Sequence, residues 1–190
     1  MRRMAPWILG MAIASMAWAG ELPDGWIRAG SAPADYDMGV DTVVRHTGRA
    51  SAYIEAKGKD SKGFGTLMQM AAPGSFRQKR VRLTAFVKSE KIENWAGLWL
   101  RVDGEARTSF LAFDNMQDRP IKGTNDWTRV AIVLDVPQEA KALAFGLLLN
   151  GSGRVWMDDL KFEVVGTDVP VTGNGGGSGQ NPPQNLDFEG

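Results

Sequence analysis

The sequence contains no cysteine and only one histidine, His46, among its 190 residues. Without cysteine the chain can form neither a disulfide nor a Cys–His catalytic site. A zinc site built from several histidines is excluded because the chain has a single histidine. A Ser–His–Asp triad would depend on His46, and no G-x-S-x-G turn is present to carry the serine. No catalytic constellation is therefore predicted, and the sequence favours a non-enzymatic role.

Long apolar runs are almost absent, and the longest one lies at the N-terminus. Arg2 and Arg3 precede the stretch PWILGMAIASM, and the small-x-small pattern Ala17-Trp18-Ala19 follows it. This pattern predicts a signal peptide over residues 1–19, cleaved after Ala19, and export to the periplasm or the extracellular space. A membrane anchor is the alternative, but the run is short for a span. No other run is long enough to cross a bilayer, so no membrane span is expected after cleavage.

Charge of either sign is not in excess. The chain carries 22 basic and 22 acidic residues, and cleavage would leave 20 basic ones by removing Arg2 and Arg3. A near-neutral domain without a basic tail or block argues against a nucleic-acid partner. The hydrophobic content of 43% is that of a globular protein.

Short apolar or alternating runs dominate the rest of the chain. They are separated by Gly, Asp, Asn and Pro, which is typical of an all-β sandwich. The nine candidate strands are TVVRHT, ASAYIEA, GTLMQMA, RVRLTAFVKS, AGLWLRVD, SFLAFDNM, TRVAIVLDV, ALAFGLLLN and RVWMDDLKFEVV. We therefore predict a β-sandwich module over residues 20–170, a Gly/Pro-rich linker over 171–184 and a strand-like segment over 185–190.

One predicted strand carries two tryptophans on its polar face. In WAGLWLRVDG the two-residue period places Leu98, Leu100 and Val102 on one face and the polar set on the other. An aromatic plane beside polar side chains is the arrangement that binds a sugar ring. The predicted ligand-binding residues are Trp95, Trp99, Arg101 and Asp103 from this strand, with Asn115, Gln117 and Arg119 from the neighbouring segment FDNMQDRP. The alternative is that one or both tryptophans simply pack under a loop, as Trp26, Trp127 and Trp156 are expected to do.

Two adjacent carboxylates, Asp158 and Asp159, lie in the last predicted strand. In a regular strand they would point to opposite faces, so they cannot form a glycosidase pair. One of them must face inward or lie at the rim of the sheet, where a buried carboxylate needs a partner. A structural calcium ion would supply that partner. The alternative is a carboxylate that is hydrogen-bonded within the adjacent turn.

The order of these segments resembles a family of exported bacterial jelly-roll modules, the galactose-binding-like domains and carbohydrate-binding modules. FDNMQDRPIKGTNDW and WMDDLKFE are the most specific stretches. Such modules occur beside glycosidases and tail-specific peptidases, and some relatives are labelled transcriptional regulators, although no helix-turn-helix or basic patch is present here. The resemblance implies a jelly-roll fold and a calcium site formed by an Asp of the last strand and a Glu of the first.

The strand that carries this Glu in the family often reads Asn-Leu-x-Phe-Glu. Here the motif appears near the C-terminus, as NLDFEG at residues 185–190, which makes Glu189 the third predicted calcium ligand. Two interpretations stay open. The segment is either the start of a second copy or a strand that returns to fill the first-strand position.

The leading functional hypothesis is a non-catalytic binding module for a carbohydrate. A structural or protein-interaction module of the cell envelope, with no small ligand, is the first alternative. A jelly-roll hydrolase is the second, and it would require two carboxylates facing each other across a groove.

Overall fold

The computed structural model describes residues 21–59, 61–105, 110–173 and 186–187, and these residues form nine β-strands, two 3₁₀ turns and no α-helix. The strands are β1 (Ile27–Gly30), β2 (Tyr36–Asp41), β3 (Ser51–Ala56), β4 (Phe64–Ala71), β5 (Lys79–Asp103), β6 (Phe110–Asp114), β7 (Ile121–Val136), β8 (Ala142–Asn150) and β9 (Arg154–Val165), and the 3₁₀ turns are Pro33–Asp35 and Gly74–Phe76. The all-β prediction is confirmed. The predicted signal peptide and most of the predicted linker lie outside the described residues.

The 25-residue strand β5 belongs to both layers of the sandwich. Its first half pairs with β7 and β9, and its second half, from Trp95 to Asp103, pairs with β8 and β6. Between the halves the register with β7 shifts repeatedly, and Lys91 has a positive φ of 54°. We call β1-β4-β8-β5-β6 the first layer and β2-β3-β9-β5-β7 the second layer. The pairings between these strands are antiparallel.

The hydrophobic core lies between the two layers. Leu83 from the first half of β5 and Leu98 from its second half are fully buried there, together with Phe145 of β8 and Ile54 of β3. The predicted alternation in the second half of β5 is therefore confirmed, because Leu98, Leu100 and Val102 face the core. Trp26 and Trp156, which the sequence assigns to packing, are each 3% exposed.

The segment 42–47, predicted as a strand, is a loop between β2 and β3. The Asp41 carboxylate accepts hydrogen bonds from the backbone N–H groups of Val43 and Val44, which turns the chain away from strand geometry. The guanidinium of Arg45 then donates to the carbonyls of Thr42 and Gly48 within the same loop. These local bonds replace the sheet pairing that the apolar residues predicted.

The other differences between the predicted and the observed strands concern the ends of strands and two short strands that were not predicted. The sequence missed β1 and β2, which are short and interrupted by Gly and Asp. RVRLTAFVKS and AGLWLRVD, predicted as separate strands, form the single strand β5, and β7 begins at Ile121 rather than at Thr128.

Gly146 of β8 allows the first layer to pack closely. It lies opposite Met68 on β4 and Trp99 on β5. A β-carbon at this position would collide with the carbonyl oxygen of Leu67 and lie 2.9 Å from the Cα of Met68. The indole of Trp99, which lies opposite Gly146, crosses β8 to reach Thr66 on β4.

We expect Gly146→Ala to destabilise the domain by about 1–3 kcal/mol, because the backbone of β4 has to move to admit one methyl group. Gly58→Ala is the matched control, since a β-carbon there meets no atom within 4 Å and should change stability by less than about 0.5 kcal/mol. Urea unfolding of both variants measures the difference. Equal stabilities would show that the first layer does not depend on this close approach.

Candidate functional site

An open groove with a volume of about 430 Å³ lies on the face of the first layer that points away from the core. Its lining comes from β1, β4, β8, β5 and β6 and from the residue after β6. The eleven lining residues are Ala29, Gly30, Phe64, Thr66, Met68, Trp95, Trp99, Arg101, Phe113, Asn115 and Leu148. Most of them are apolar, and the polar side chains come from Thr66, Arg101 and Asn115.

Trp99 forms the floor of the groove. Its Nε1–H donates to the hydroxyl of Thr66 at 2.8 Å, and that hydroxyl donates to the carbonyl of Leu147 at 2.7 Å. Met68, Ala144 and Leu148 pack around the indole, which is 7% exposed. The hydrogen bonds and the packing fix the ring across β8, so Trp99 contributes a rigid apolar surface rather than a mobile platform.

Trp95 lies at one end of the groove and is half-buried. It packs partly against the apolar cluster around Trp99, with Phe64 and Phe113 as further members. Gly97 lies between the two tryptophans, where a β-carbon would approach the carbonyl of Asn115 and the ring of Trp95. Trp95 is thus a partly exposed residue that lines the groove, as a stacking platform requires.

Arg101 and Asp103 form an ion pair along one strand. The guanidinium donates through Nε to Oδ1 of Asp103 at 2.6 Å and through Nη2 to Oδ2 at 2.9 Å, which makes the pair bidentate. Arg101 lines the groove. Asp103, two residues further along the same face of β5, does not. The structure thus brings Trp95, Trp99, Arg101 and Asn115 together, with Asp103 as the partner of Arg101.

Gln117 and Arg119, also predicted as ligand-binding residues, do not line the groove. The guanidinium of Arg119 donates to the carboxylates of Asp114 and Asp118 and to the carbonyl of Ala131. Burial alone lowers the pKa of Arg119, but the bonds and charges of Asp114 and Asp118 outweigh it and raise the pKa. Gln117 is exposed, and its backbone N–H donates to the side chain of Asn115 at 3.2 Å. Both residues instead belong to the turn that holds Asn115 beside the groove.

The apolar half of the groove was not predicted from the sequence. Phe64 and Met68 come from β4, Leu148 from β8 and Phe113 from β6. The signal was present in FGTLMQM, where the two-residue period places Phe64, Thr66 and Met68 on one face. What the sequence could not provide is the pairing of β4 with β8, which places this face beside Trp99.

The two adjacent aspartates point to the same side, and the prediction of opposite faces is wrong. Asp158 pairs with Phe86 while Lys161 pairs with Thr84, so β9 carries one extra residue at this point. Asp159 takes a positive φ of 50°, a conformation that Asp tolerates better than most residues. The bulge turns both carboxylates towards the loop between β2 and β3.

Each carboxylate has partners in that loop. Asp158 is 1% exposed and accepts the backbone N–H groups of His46 at 2.7 Å and Thr47 at 3.1 Å, and also the N–H of Asp159. Burial raises the pKa of Asp158, although these three hydrogen bonds oppose the effect. Asp159 lies 2.6 Å from Nδ1 of His46 and accepts the hydroxyl of Thr47. The imidazole stacks on Phe86 with ring centroids 3.8 Å apart, and Trp127 lies half-buried beside it.

These contacts match the alternative of a hydrogen-bonded carboxylate beside a turn. Within the described ranges, no cluster of three or more His, Cys, Asp or Glu side chains is arranged to hold a metal ion. Glu189, the third predicted ligand, lies outside those ranges. Calcium binding by Asp158, Asp159 and Glu189 therefore stays a prediction.

A second charged cluster lies on the outer face of the second layer. The guanidinium carbon of Arg154 lies over the rings of Tyr53 and Trp156, at 4.4 and 4.7 Å from their centroids. Asp41 accepts hydrogen bonds from Arg154 at 2.8 Å and from the indole N–H of Trp156 at 2.9 Å. Burial alone raises the pKa of Asp41, but the backbone N–H of Val44 and its other partners outweigh it and hold the pKa below that of an ordinary aspartate.

The chain resembles one curated protein in sequence and several solved structures in fold. No family model matches it. The uncharacterized HTH-type transcriptional regulator YbfP of Bacillus subtilis (strain 168) is 42% identical over 167 residues, which are 87% of this chain and 56% of the relative. The chain therefore spans about half the length of this relative, and the label of transcriptional regulator agrees with the family resemblance given above.

Two solved structures share the fold at low sequence identity. The CBM22-1 xylan-binding domain of Paenibacillus barcinonensis Xyn10C matches with a TM-score of 0.53 and 13% identity, over 77% of this chain and 90% of that domain. The Stig cyclase Fisc of Fischerella sp. TAU, in complex with (3Z)-3-(1-methyl-2-pyrrolidinylidene)-3H-indole, matches with a TM-score of 0.54 and 16% identity, over 76% and 87% of the two chains.

These likenesses define the class to which the fold belongs. The chain is a jelly-roll β-sandwich of the kind found in carbohydrate-binding modules, and the resemblance read from the sequence is confirmed at the level of fold. Within the part of the chain that the structure covers, no helix has the length and apolar character needed to cross a membrane.

The Asp41 cluster makes stability depend on acid pH. A carboxylate whose pKa is lower in the folded than in the unfolded chain stabilises the fold fully above its unfolded pKa, and this contribution is lost as pH falls through the folded pKa. We therefore expect Asp41→Asn to destabilise the domain at pH 6 and to cost much less at pH 2.5. Urea unfolding of the wild type and the variant at both pH values measures this. A cost that is independent of pH would show that the negative charge of Asp41 contributes nothing.

Proposed function

We propose that this chain is an extracytoplasmic, non-catalytic binding module whose groove takes a carbohydrate. The observation that carries the proposal is the half-buried ring of Trp95 at an open groove, beside Asn115 and the Arg101–Asp103 pair. A sugar ring has an apolar C–H face that stacks on an aromatic plane, while polar side chains bond its hydroxyl groups. The shared fold with carbohydrate-binding modules supports the same assignment.

The residues of the groove contribute different contacts to a bound sugar. Trp95 provides the accessible aromatic plane, and Trp99 with Met68 and Leu148 provides a rigid apolar floor. The Arg101–Asp103 pair offers donors and acceptors to hydroxyl groups while its own charges are already paired. This combination favours a neutral saccharide, since no charged side chain of the lining is left without a counter-charge.

A second candidate ligand is a flat apolar molecule. Eight of the eleven lining residues are apolar or glycine, which is a high share for a surface that binds only hydroxyl groups. A structure with the same fold, the Fischerella cyclase, is described in complex with an indole compound. An aromatic ring could lie between Trp95 and Phe113 with few polar contacts, and this candidate makes the chain a receptor for a small apolar molecule.

We expect Trp95→Ala to weaken binding of a soluble neutral polysaccharide at least about 10-fold, equivalent to about 1.4 kcal/mol. Isothermal titration with xylan and β-glucan measures the effect. Trp127→Ala is the matched control, because Trp127 is half-buried on the second layer, away from the groove, and should leave affinity unchanged. Trp99→Ala is unsuitable, since it removes a buried side chain.

The same titrations with indole distinguish the candidates. Saccharide binding that survives Trp95→Ala would overturn the proposed site. Indole binding that depends on Trp95, without any saccharide binding, would establish the apolar receptor instead. If neither a saccharide nor indole binds, the result would favour a structural or protein-interaction module of the cell envelope without a small ligand.

The location outside the cytoplasm rests on the first nineteen residues. When the full chain is expressed in a bacterial host, we expect it in the periplasm or the medium with Gly20 as its first residue. Cell fractionation followed by N-terminal sequencing tests this. A cytoplasmic chain that keeps residues 1–19 would contradict export.

A further inference from the structure

A side-chain amide lies at the end of the groove that Trp95 occupies. Asn150 is the last residue of β8, and in the register of the sheet it lies directly opposite Trp95 on β5 and Phe64 on β4. Both of these neighbours line the groove, whereas Asn150 lies just beyond the lining. Residues opposite each other on adjacent antiparallel strands have their β-carbons about 4.5–5.5 Å apart. A ligand in contact with Trp95 is therefore within reach of the Asn150 amide.

The alternation along β8 places Asn150 on the groove side of the first layer. Leu147 and Leu149 are fully buried in the core between the layers, and Leu148 lines the groove. Because successive side chains of a strand point to opposite faces, Asn150 shares the face of Leu148. The residue is half-buried, which leaves part of its surface accessible.

Asn94 holds the amide of Asn150 from one side. The Nδ2 of Asn94 donates a hydrogen bond to Oδ1 of Asn150. Gly151 permits this close approach, because a β-carbon there would lie 2.8 Å from the β-carbon of Asn94. In the part of the chain that the structure describes, the Nδ2 of Asn150 has no acceptor. Asn150 thus presents an oriented amide whose donor group is free.

A free donor beside an aromatic ring discriminates between the two candidate ligands. A sugar that stacks its C–H face on Trp95 has hydroxyl and ring oxygens at its edge, and these oxygens accept hydrogen bonds. Indole carries one N–H donor and no oxygen. If indole covered Asn150, the amide would lose its water without gaining an acceptor, which lowers affinity.

We infer that Asn150 is a specificity-determining residue of the groove, and that its Nδ2 donates to an oxygen of the sugar in contact with Trp95. Asn94 is the positioning residue that holds the amide in this orientation. The inference rests on the proposed carbohydrate-binding function and extends it. It assigns part of the choice between a saccharide and an apolar ring to a residue just outside the groove lining.

Two substitutions of Asn150 in the full chain test the donor, by isothermal titration with soluble xylan and β-glucan. Asn150→Ala should weaken binding about three- to tenfold, which corresponds to one neutral hydrogen bond. Asn150→Asp should weaken it at least as much, because a carboxylate still accepts from Asn94 but has no N–H to donate. Gln117→Ala removes an exposed amide away from the groove and should leave affinity unchanged. All three variants should keep the thermal midpoint within about 2 °C of the wild type.

Three results would contradict the inference. Binding by Asn150→Asp as tight as that of the wild type would show that Asn150 merely holds Asn94 in place. Unchanged binding by Asn150→Ala, while Trp95→Ala still weakens it, would overturn the inference and leave the proposed function standing. If the wild type binds neither polysaccharide, the proposed function and the inference both fail.

A double-mutant cycle tests the positioning role of Asn94. Asn94→Ala alone should weaken binding about twofold or more, because a mobile Asn150 side chain has to be ordered when the ligand binds. In the Asn150→Ala background the same substitution should have no further effect, since no amide is left to position. Equal losses in both backgrounds would show that Asn94 acts independently of Asn150 and would overturn this role.

Discussion

The architecture depends on one strand that belongs to both layers. In its first half β5 pairs with β9 and β7, and in its second half with β8 and β6. The two layers are therefore joined by the continuous backbone of β5 as well as by the core. The irregular register around Lys91 is the point at which the strand changes layers. Any displacement of this bend would move Trp95 and Trp99 relative to the core, since both follow it within nine residues.

The groove is the outer surface of the layer that the second half of β5 enters. Its floor is rigid because the indole of Trp99 donates to Thr66 and packs against Met68, Ala144 and Leu148. Its edge is held by Asp114, which is buried and accepts bonds from the Met116 N–H, Arg119 and Thr172. A surface with so little freedom loses little conformational entropy on binding, which favours affinity for a rigid ligand.

The two-residue alternation of apolar and polar side chains predicted much of the sheet structure. Local hydrogen bonds and a bulge explain where this prediction failed. The two-residue period placed Leu98 in the core and Trp95 and Trp99 on the opposite face. It did not predict the loop after Asp41, where side-chain bonds to Val43 and Val44 replace sheet pairing. Nor did it predict the bulge at Asp159, because a single extra residue has no signature in composition. Which strands lie beside each other is a property of the whole chain, so Phe64 and Phe113 could not be assigned to the groove in advance.

The Arg101–Asp103 pair has a consequence for how a ligand reaches the groove. Because the guanidinium is neutralised by a carboxylate two residues along the same strand, the groove presents a local dipole rather than a net charge. Such a site exerts no long-range attraction on an ion, so encounter depends on diffusion and its rate is almost insensitive to salt. Selection at this surface therefore takes place after contact, through shape and hydrogen bonds.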